Sequence, residues 1–542
     1  MVPIFILWWE GAMSVLARSI EFLDQDLFSP ATELFNTLIC NLRIKETNAM
    51  TASELERYLK EKFQDLVREA LQAKLNMIGA LEAESVVKRS DGVALPRKKL
   101  VERTIETAFG DVTFKRWGYS AETGPSLFPA DGHLNLPAEK YTHEVRRLVS
   151  EDITRSSYDE TLEVLSRRSA VTVPKRQGLE LVNRAAQDFV DFYNHQLNRP
   201  EDSDVPAKDT SSLLIVTTDG KGVVMRHESL REATRKAAEK EQHKLQKRLT
   251  AGEKKDRKRM AQVASVYTIA PHVRTAEEIA GLTPVLVEKK KQRPRPEDKR
   301  VWASVEREPE QVISEIFQEG QARDPHHEKQ WIALVDGNKK QLRVMKEQAN
   351  AFDVTLTIII DIIHVIEYLW KASHAFYKEG DSRCEQFVTQ RLLLVLHGQS
   401  SQVANEIETM ATEGELPKKK RKPVDTCAAY LLNNQEFLQY DIYLAQGLPI
   451  ATGVIEGACR YLVKDRMDIT GARWGLTGAE AVLRLRSLRV SGDFDEYWSY
   501  HEKMEQERNH SSKYENGLPP LIDSNSESVH RKNRGQLRLV KG

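Results

Sequence analysis

The chain holds 542 residues, too many for one simple core, and 80 lysines and arginines balance 80 aspartates and glutamates. Length predicts roughly two to four domains, and the charge balance excludes a uniformly basic coat for nucleic acid while leaving local basic patches open. Four distant cysteines (Cys40, Cys384, Cys427, Cys459) show neither CxxC nor Cys/His spacing, which excludes a structural zinc site or a disulfide framework and fits a cytoplasmic protein.

The start, MVPIFILWWEGAM, carries a short apolar run without a basic flank, interrupted by Glu10. It is too short for a membrane span and lacks the form of a signal peptide, so no membrane segment is predicted. Translation starts at Met1 or Met13. From about Ser14 to Leu81 apolar residues recur at helical spacing, an arm or oligomerisation segment. Residues 102–120 (ERTIETAFGDVTFKRWGYS) alternate around a Gly-Asp turn and predict a β-hairpin. Its basic-aromatic tip, Lys115, Arg116 and Trp117, is either a nucleic-acid contact or a plain exposed end. These elements make a first region, 1–130.

Residues 131–200 form a second region. Within SYDETLEVLSRRSAVTVPKRQGLELVNRAAQDFV, a helix Glu160–Arg168 precedes one starting near Val173, with Pro174, Lys175 and Arg176 in its opening turn. Proline suits a helix's first turn, and basic residues there suit a helix-turn-helix entering the major groove. Lys175 and Arg176 are therefore candidate DNA contacts, although a helical connector has the same outline. The polar, proline-bearing NRPEDSDVPAK (198–208) marks a domain boundary.

The pattern changes over 209–490. LLIVTTD (213–219) reads as a buried strand, GKG as a short turn and GVVMR as an antiparallel return. A charged stretch near 227–260, with twelve Lys/Arg against five Asp/Glu between Arg231 and Met260, is a basic helical insertion, either lying over DNA or simply solvated. AQVASVYTIAP (261–271) is a third strand. KKKQRPRPEDKR (289–300) is a loop, and VWASV with EPEQVISEIFQEG returns to packed structure. WIALVDG (331–337) is a fourth strand, VTLTIIID (354–361) a fifth, and each leads into a helix. A helical insertion fills the region near 381–448, where PKKKRKP (417–423) has the form of a nuclear localisation signal but reads better as a solvated loop, and a polar tail covers 491–542. This order is not the repeated βαβ of a doubly wound fold. It predicts an α/β fold, a ribonuclease H-like mixed five-stranded sheet with flanking helices and a helical insertion, preceded by a mainly helical N-terminal region.

Asp219, Asp336 and Asp361 each stand where a strand gives out, the edge at which α/β sheets bind ligands, and carboxylates gathered there suit hard divalent ions. Capping explains any one of them alone. In GVIEGACRYLVKDRMDITGARWG (453–475), a predicted helix, Glu456 heads a face with Arg460 and Lys464 at i+4 and i+8, a spacing that also stabilises ordinary exposed helices. Trp474 is either a base-stacking platform or a core residue.

Together TTDGKG, KRVWASV, RDP (Arg323–Pro325), WIALVDGNKKQL, DIIHVIEYLW and GVIEGACRYLVKDRMDITGARW resemble a DDE transposase of bacterial insertion sequences, of the ISKra type. The resemblance covers about 210–490. It implies that Asp219, Asp336 and Glu456 are a metal-binding catalytic triad holding two Mg²⁺ or Mn²⁺ ions. The fold it implies puts the second acid after the fourth strand, which favours Asp336 over Asp361. Asp361 and His364 then form the DxxH element of related transposases in a supporting role. Lys221, Arg460, Lys464, Arg466 and Arg473 are candidates for holding phosphates. The implied partners are double-stranded DNA, at element ends and target, and further copies of the chain as a homodimer or higher oligomer. Relatives often carry a Cys-rich zinc ribbon; the hairpin around Gly110 has no cysteine, so DNA recognition falls to the helix-turn-helix. An inactive DNA-binding remnant and a ribonuclease H-like nuclease are the alternatives.

Overall fold

The computed structural model describes residues 24–198, 210–240, 257–282 and 293–523, with single positions at 245, 250 and 253. The apolar start, nearly all of the expected boundary at 198–208, most of the basic stretch beyond Lys240, the first part of the 289–300 loop and residues 524–542 lie outside the described residues. The chain divides into two compact units: the described residues up to Asp188 together with those from Glu496 onward, and Phe189–Asp495.

In the first unit, helices α1 (Asp24–Asn41) and α2 (Ala52–Gly79) supply the expected helical arm. A reciprocal cap starts α2: Thr51 Oγ1 accepts the Glu54 N–H, and the Glu54 carboxylate accepts the Thr51 N–H at 2.8 Å. The hairpin, β1 (Arg97–Thr107) and β2 (Gly110–Ser120), is longer than expected and turns earlier, at Ala108 and Phe109. Gly110, at φ +108°, opens β2 instead of forming a turn with Asp111. Because pairing begins at Arg97, Lys115, Arg116 and Trp117 lie opposite Glu102, Val101 and Leu100, far from any tip. Arg116 is buried against Asp131 at 2.6 Å, and the Trp117 indole donates to the Ala80 carbonyl at 3.1 Å. The amide oxygens of Gln72 and Asn76 on α2 accept the N–H groups of Thr113 and Lys115 at 3.0 Å, which covers the edge of β2. Leu75, Ile105, Val112, Phe114 and Leu136 form the core beneath.

Helices α3 (His143–Ile153), α4 (Tyr158–Arg168) and α5 (Lys175–Ala185) follow. The basic start of α5 after Pro174 is as expected. The connection, residues 169–174, buries Val171 and Val173 and is longer than the roughly three or four residues of a helix-turn-helix. Lys175 pairs with Asp159 at 2.7 Å and Arg176 with Glu180 at 3.5 Å, all of them exposed. The helix Phe494–Asn509, which opens the stretch expected as a polar tail, closes this unit through Tyr497, whose hydroxyl donates to the Ala185 carbonyl at 2.6 Å.

The second unit opens with α6 (Phe189–Leu197) and contains a five-stranded sheet: β3 (Leu213–Val224), β4 (Lys258–Ile269), β5 (Glu297–Ser304), β6 (Gln330–Val335) and β7 (Leu356–Ile360). The strand order is β5-β4-β3-β6-β7, with β3 antiparallel to β4, β4 antiparallel to β5, and β3, β6 and β7 parallel. The expected mixed five-stranded sheet is present, but from a different set of strands. LLIVTTD and GVVMR are one continuous strand, because Gly220 and Gly222 pair in register with Gln262 and Met260 instead of turning. Gly222 is needed for close approach: a Cβ there would stand 2.8 Å from Lys258 Cδ. The missing strand is made good by VWASV, whose residues to Ser304 lie in β5.

Helix α7 (Glu232–Lys240) is the helical part of the basic stretch among the described residues, and the end of the stretch, from Lys258, is not helical but opens β4. Helices α8 (Pro309–Arg323), α9 (Lys339–Ala351) and α10 (Ile362–Phe376) alternate with β6 and β7. The helical insertion comprises α11 (Ser382–Leu396), α12 (Ser400–Glu413), α13 (Lys418–Asn433) and α14 (Tyr440–Ala445). PKKKRKP is not a loop: from Lys418 it forms the first turns of α13, with Lys418, Lys419, Lys420 and Lys422 exposed. Of residues 453–475, the expected helix covers Gly453–Met467 without a break, as α15 (Gly453–Ala458), a π-helix (Cys459–Lys464) and a last α-helical turn (Asp465–Met467); it ends there, and a 3-10 turn (Ile469–Gly471) precedes α16 (Leu476–Ser491).

Candidate strand-edge carboxylate site

Strands β3, β6 and β7 end toward the same side, and their register places three acids in one row. Thr217 pairs with Leu334, so Asp219 and Asp336 stand at equivalent positions two residues on; Val335 pairs with Ile360, so Asp336 and Asp361 are again neighbours. Adjacent strands are roughly 4.8 Å apart, which spaces the row. Asp219 is not a strand end, as the sequence suggests: β3 continues past it along β4, and only its partner β6 stops there. The two preceding threonines fix this stretch between its neighbours. Thr217 Oγ1 donates to the Leu334 carbonyl and Thr218 Oγ1 to the Val263 carbonyl, both at 2.8 Å.

Glu456 reaches the row from α15, and this short helix is tied at both ends. Thr452 occupies its N-cap, yet the hydroxyl makes no cap; it donates to Asp361 Oδ2. At the other end the Cys459 thiol donates to Asp219 Oδ2 at 3.3 Å. Asp361 is fully buried, and its Oδ1 caps α10 by accepting the Ile363 N–H at 2.8 Å. Asp336 accepts the Asn338 N–H at 3.0 Å, and the Tyr430 hydroxyl donates to the Asp336 carbonyl at 3.0 Å. The sequence gives no signal for Thr452 and Tyr430; Cys459 is visible only as the third residue after Glu456.

The ligand atoms of Asp361, His364 and Glu456 lie within 4.8 Å of one another. Opposite ligands of an octahedral Mg²⁺ bound at 2.0–2.1 Å would be roughly 4.2 Å apart, so a small inward movement suffices. The two carboxylates suit Mg²⁺ or Mn²⁺, and the imidazole favours a transition ion, Mn²⁺ over Mg²⁺. Asp336 and Asp219 lie outside this tightest group of three. Electrostatics joins Asp219 to it: partial desolvation raises the Glu456 carboxyl above its ordinary range, the Asp361 and Asp219 carboxylates raise it further, and His364 pulls the other way. Burial, and then Asp219, likewise push the Cys459 thiol up, so it stays a protonated donor. The four carboxylates outnumber the two basic groups that act on the site, His364 and Lys221, and a surplus of negative charge is the condition a bound cation relieves.

The basic candidates separate. Lys221, half-buried, is near enough to Cys459 to pull its thiol downward. Arg460, Lys464 and Arg473 are exposed. The π-turn's i→i+5 bonding removes Arg460 and Lys464 from the single α-helical stripe that their spacing suggests. Arg466 is buried, only 2% exposed, over the Trp474 ring at 4.9 Å, so it does not present a free cation to a phosphate. Trp474 is itself buried, with its indole donating to the Met467 carbonyl at 2.9 Å, and is a core residue. Its backbone extends the end of β3 through bonds to Val224 and Arg226.

Over residues 45–220 the chain is similar to a family described as an uncharacterised protein family (UPF0236). That span includes most of the first unit and ends one residue beyond Asp219. No curated protein matches the chain.

Proposed function

We propose that the chain is a DDE-type transposase that cuts DNA at the ends of its own element and joins the freed ends to target DNA. One observation carries this reading: three acids stand in register on adjacent parallel strands, and the helix bearing a fourth is tied to both outer members of the row. The strand order, with β3 central and β4 and β5 antiparallel beside it, is the order a ribonuclease H-like domain requires. The resemblance in sequence supports the same conclusion.

In this reading Asp219, Asp336 and Glu456 would hold the reacting cations, with Asp361 and His364, whose ligand atoms lie within 4.8 Å of that of Glu456, supporting them. Divalent ions bound there supply Lewis acidity and a lowered pKa for an attacking water. Lys221 and the exposed Arg460, Lys464 and Arg473 hold the phosphates of the strand being cut. Water attacks phosphorus in line and the P–O3′ bond breaks, freeing a 3′-OH. That hydroxyl attacks a target phosphodiester, forming a new P–O bond and expelling the target's own 3′ oxygen. Lys175 and Arg176 contact the element ends, and two ends are brought together by a dimer or larger assembly. The test is incubation of the protein with DNA carrying the element's flanking repeats and Mg²⁺ or Mn²⁺. Cleaved and joined strands are expected. Cleavage without joining points to a plain nuclease, and cleavage undiminished in Asp219→Asn and Glu456→Gln would sink the assignment.

A further inference from the structure

The first unit contains a cavity of about 770 Å³, unrelated to the carboxylate row, within the size range of small-ligand sites. Its charged lining is Arg89, Arg103, Arg116 and Lys513 against Asp91 and Asp131, two positive charges in excess. Arg116 is 94% buried by its 6% exposure, and its guanidinium is already positioned. Its Nε donates to Asp131 at 2.6 Å, one terminal nitrogen reaches the Val101 carbonyl at 3.3 Å, and its face lies 4.1 Å from the Phe128 ring centroid. The other terminal nitrogen has no protein partner among the described residues. Asp131 is shared with Arg103 at 2.8 Å, so one carboxylate serves two guanidinium groups. Lys513 is exposed at the cavity and has no side-chain partner among the described residues.

A buried arginine with one spare terminal nitrogen, an exposed lysine and a net charge of two match a phosphate dianion, held by charge-assisted hydrogen bonds from the two side chains. A bare phosphate fills only a small part of the space. The remaining wall is mixed: Pro125, Leu127, Leu136 and Pro137 form an apolar stretch that suits a flat ring, and Ser126, Asn509, His510 and Ser512 offer polar groups beside it. We propose that this cavity binds a nucleotide unit, its phosphate on Arg116 and Lys513 and its base against the apolar stretch, either as a free mononucleotide or as an unstacked nucleotide of a DNA strand. Nothing in this proposal depends on the strand-edge site.

The test is equilibrium binding of full-length protein to dAMP, deoxyadenosine, inorganic phosphate and a short single-stranded oligonucleotide, with Arg116→Lys and Lys513→Met variants. Arg116→Lys retains the charge beside Asp131, and Lys513→Met alters an exposed side chain, so both are expected to fold; circular dichroism checks this. Binding of dAMP is expected to exceed that of deoxyadenosine and of phosphate by about tenfold or more, and to weaken about tenfold in each variant. Displacement of dAMP by the oligonucleotide assigns the site to strand-borne nucleotides, and failure to displace it assigns the site to free ones. Equal binding of dAMP and deoxyadenosine, no dAMP binding, or folded variants that bind as the parent does would overturn the proposal.

Discussion

Each unit gathers acids into a cluster, buried in the first and opening to solvent at Glu456 in the second, and the two do so to opposite effect. In the first, fully buried Arg146 donates to Glu139 and to Glu505 (2.9 Å), and Asp188 accepts from Arg508 and pairs with His501 at 2.6 Å. Burial alone would raise Glu505, but Arg146 outweighs it and holds the carboxyl at about 2. In the second unit Glu456 is raised, first by partial desolvation and then by Asp361 and Asp219, with His364 opposing them. The first cluster is balanced within the chain. The second carries more acids than basic groups, and a cation from outside would balance it. Desolvation raises both glutamates, so the sign of the neighbouring charge is what sends Glu505 down and leaves Glu456 up.

The strongest way to break this comparison is to remove the unbalanced acids. Asp219→Asn or Glu456→Gln is expected to lower Mg²⁺-dependent strand cleavage by about 10⁴-fold, about 5 kcal/mol in the barrier, without lowering the melting temperature, since each removes repulsion. Arg146→Met should do the reverse, destabilising the fold by about 3 kcal/mol because it takes the buried partner from Glu505 and Glu139 and leaves them only Arg508 and Arg184, both more exposed; denaturant unfolding reads this.

Acid titration sharpens the contrast. Glu505 is depressed in the folded chain, so its contribution, on the order of 3 kcal/mol, is present above the ordinary carboxylate pKa of 4.5 and is lost as pH falls toward about 2. Glu456 is raised, so its ionisation weakens the fold as pH rises, and Mn²⁺ should cancel that loss with a melting-temperature gain that grows with pH. At a hundred times its dissociation constant the ion contributes about 2.7 kcal/mol. A thermal-shift series in Mn²⁺ across pH checks both; a gain independent of pH would remove Glu456 from the cation site. The smallest effect is expected from Thr452→Val, which frees one end of α15: about 10-fold weaker Mn²⁺ binding with little change in stability.

Much of this was legible in the chain. Buried runs such as WIALV and TIII, each followed by Asp, define parallel strands and the edge at which the acids gather, because a fully buried strand leaves no other reading for continuous β-branched residues. The Gly-Lys-Gly stretch misled because glycine permits a turn and close strand approach equally, and only the partner strand decides between them. Arg466 misled because its charge is visible in sequence while the Trp474 ring that covers it arrives from a turn beyond the π-helix. The ties from Thr452 and Cys459 to Asp361 and Asp219 span 91 and 240 residues, and nothing local announces a contact of that range.

The uninterrupted course of β3 has a consequence for motion. Backbone around Asp219 is laddered to β4 and lies beside β6, so its amides exchange with solvent only when the sheet opens. Glu456 rides on α15, which is joined to the acid row by the side chains of Thr452 and Cys459 and not by a backbone ladder. The strand side of the site is thus set by main chain and the helix side by two side chains, so substituting either tie should shift Glu456 and leave the strand's amides as protected as before.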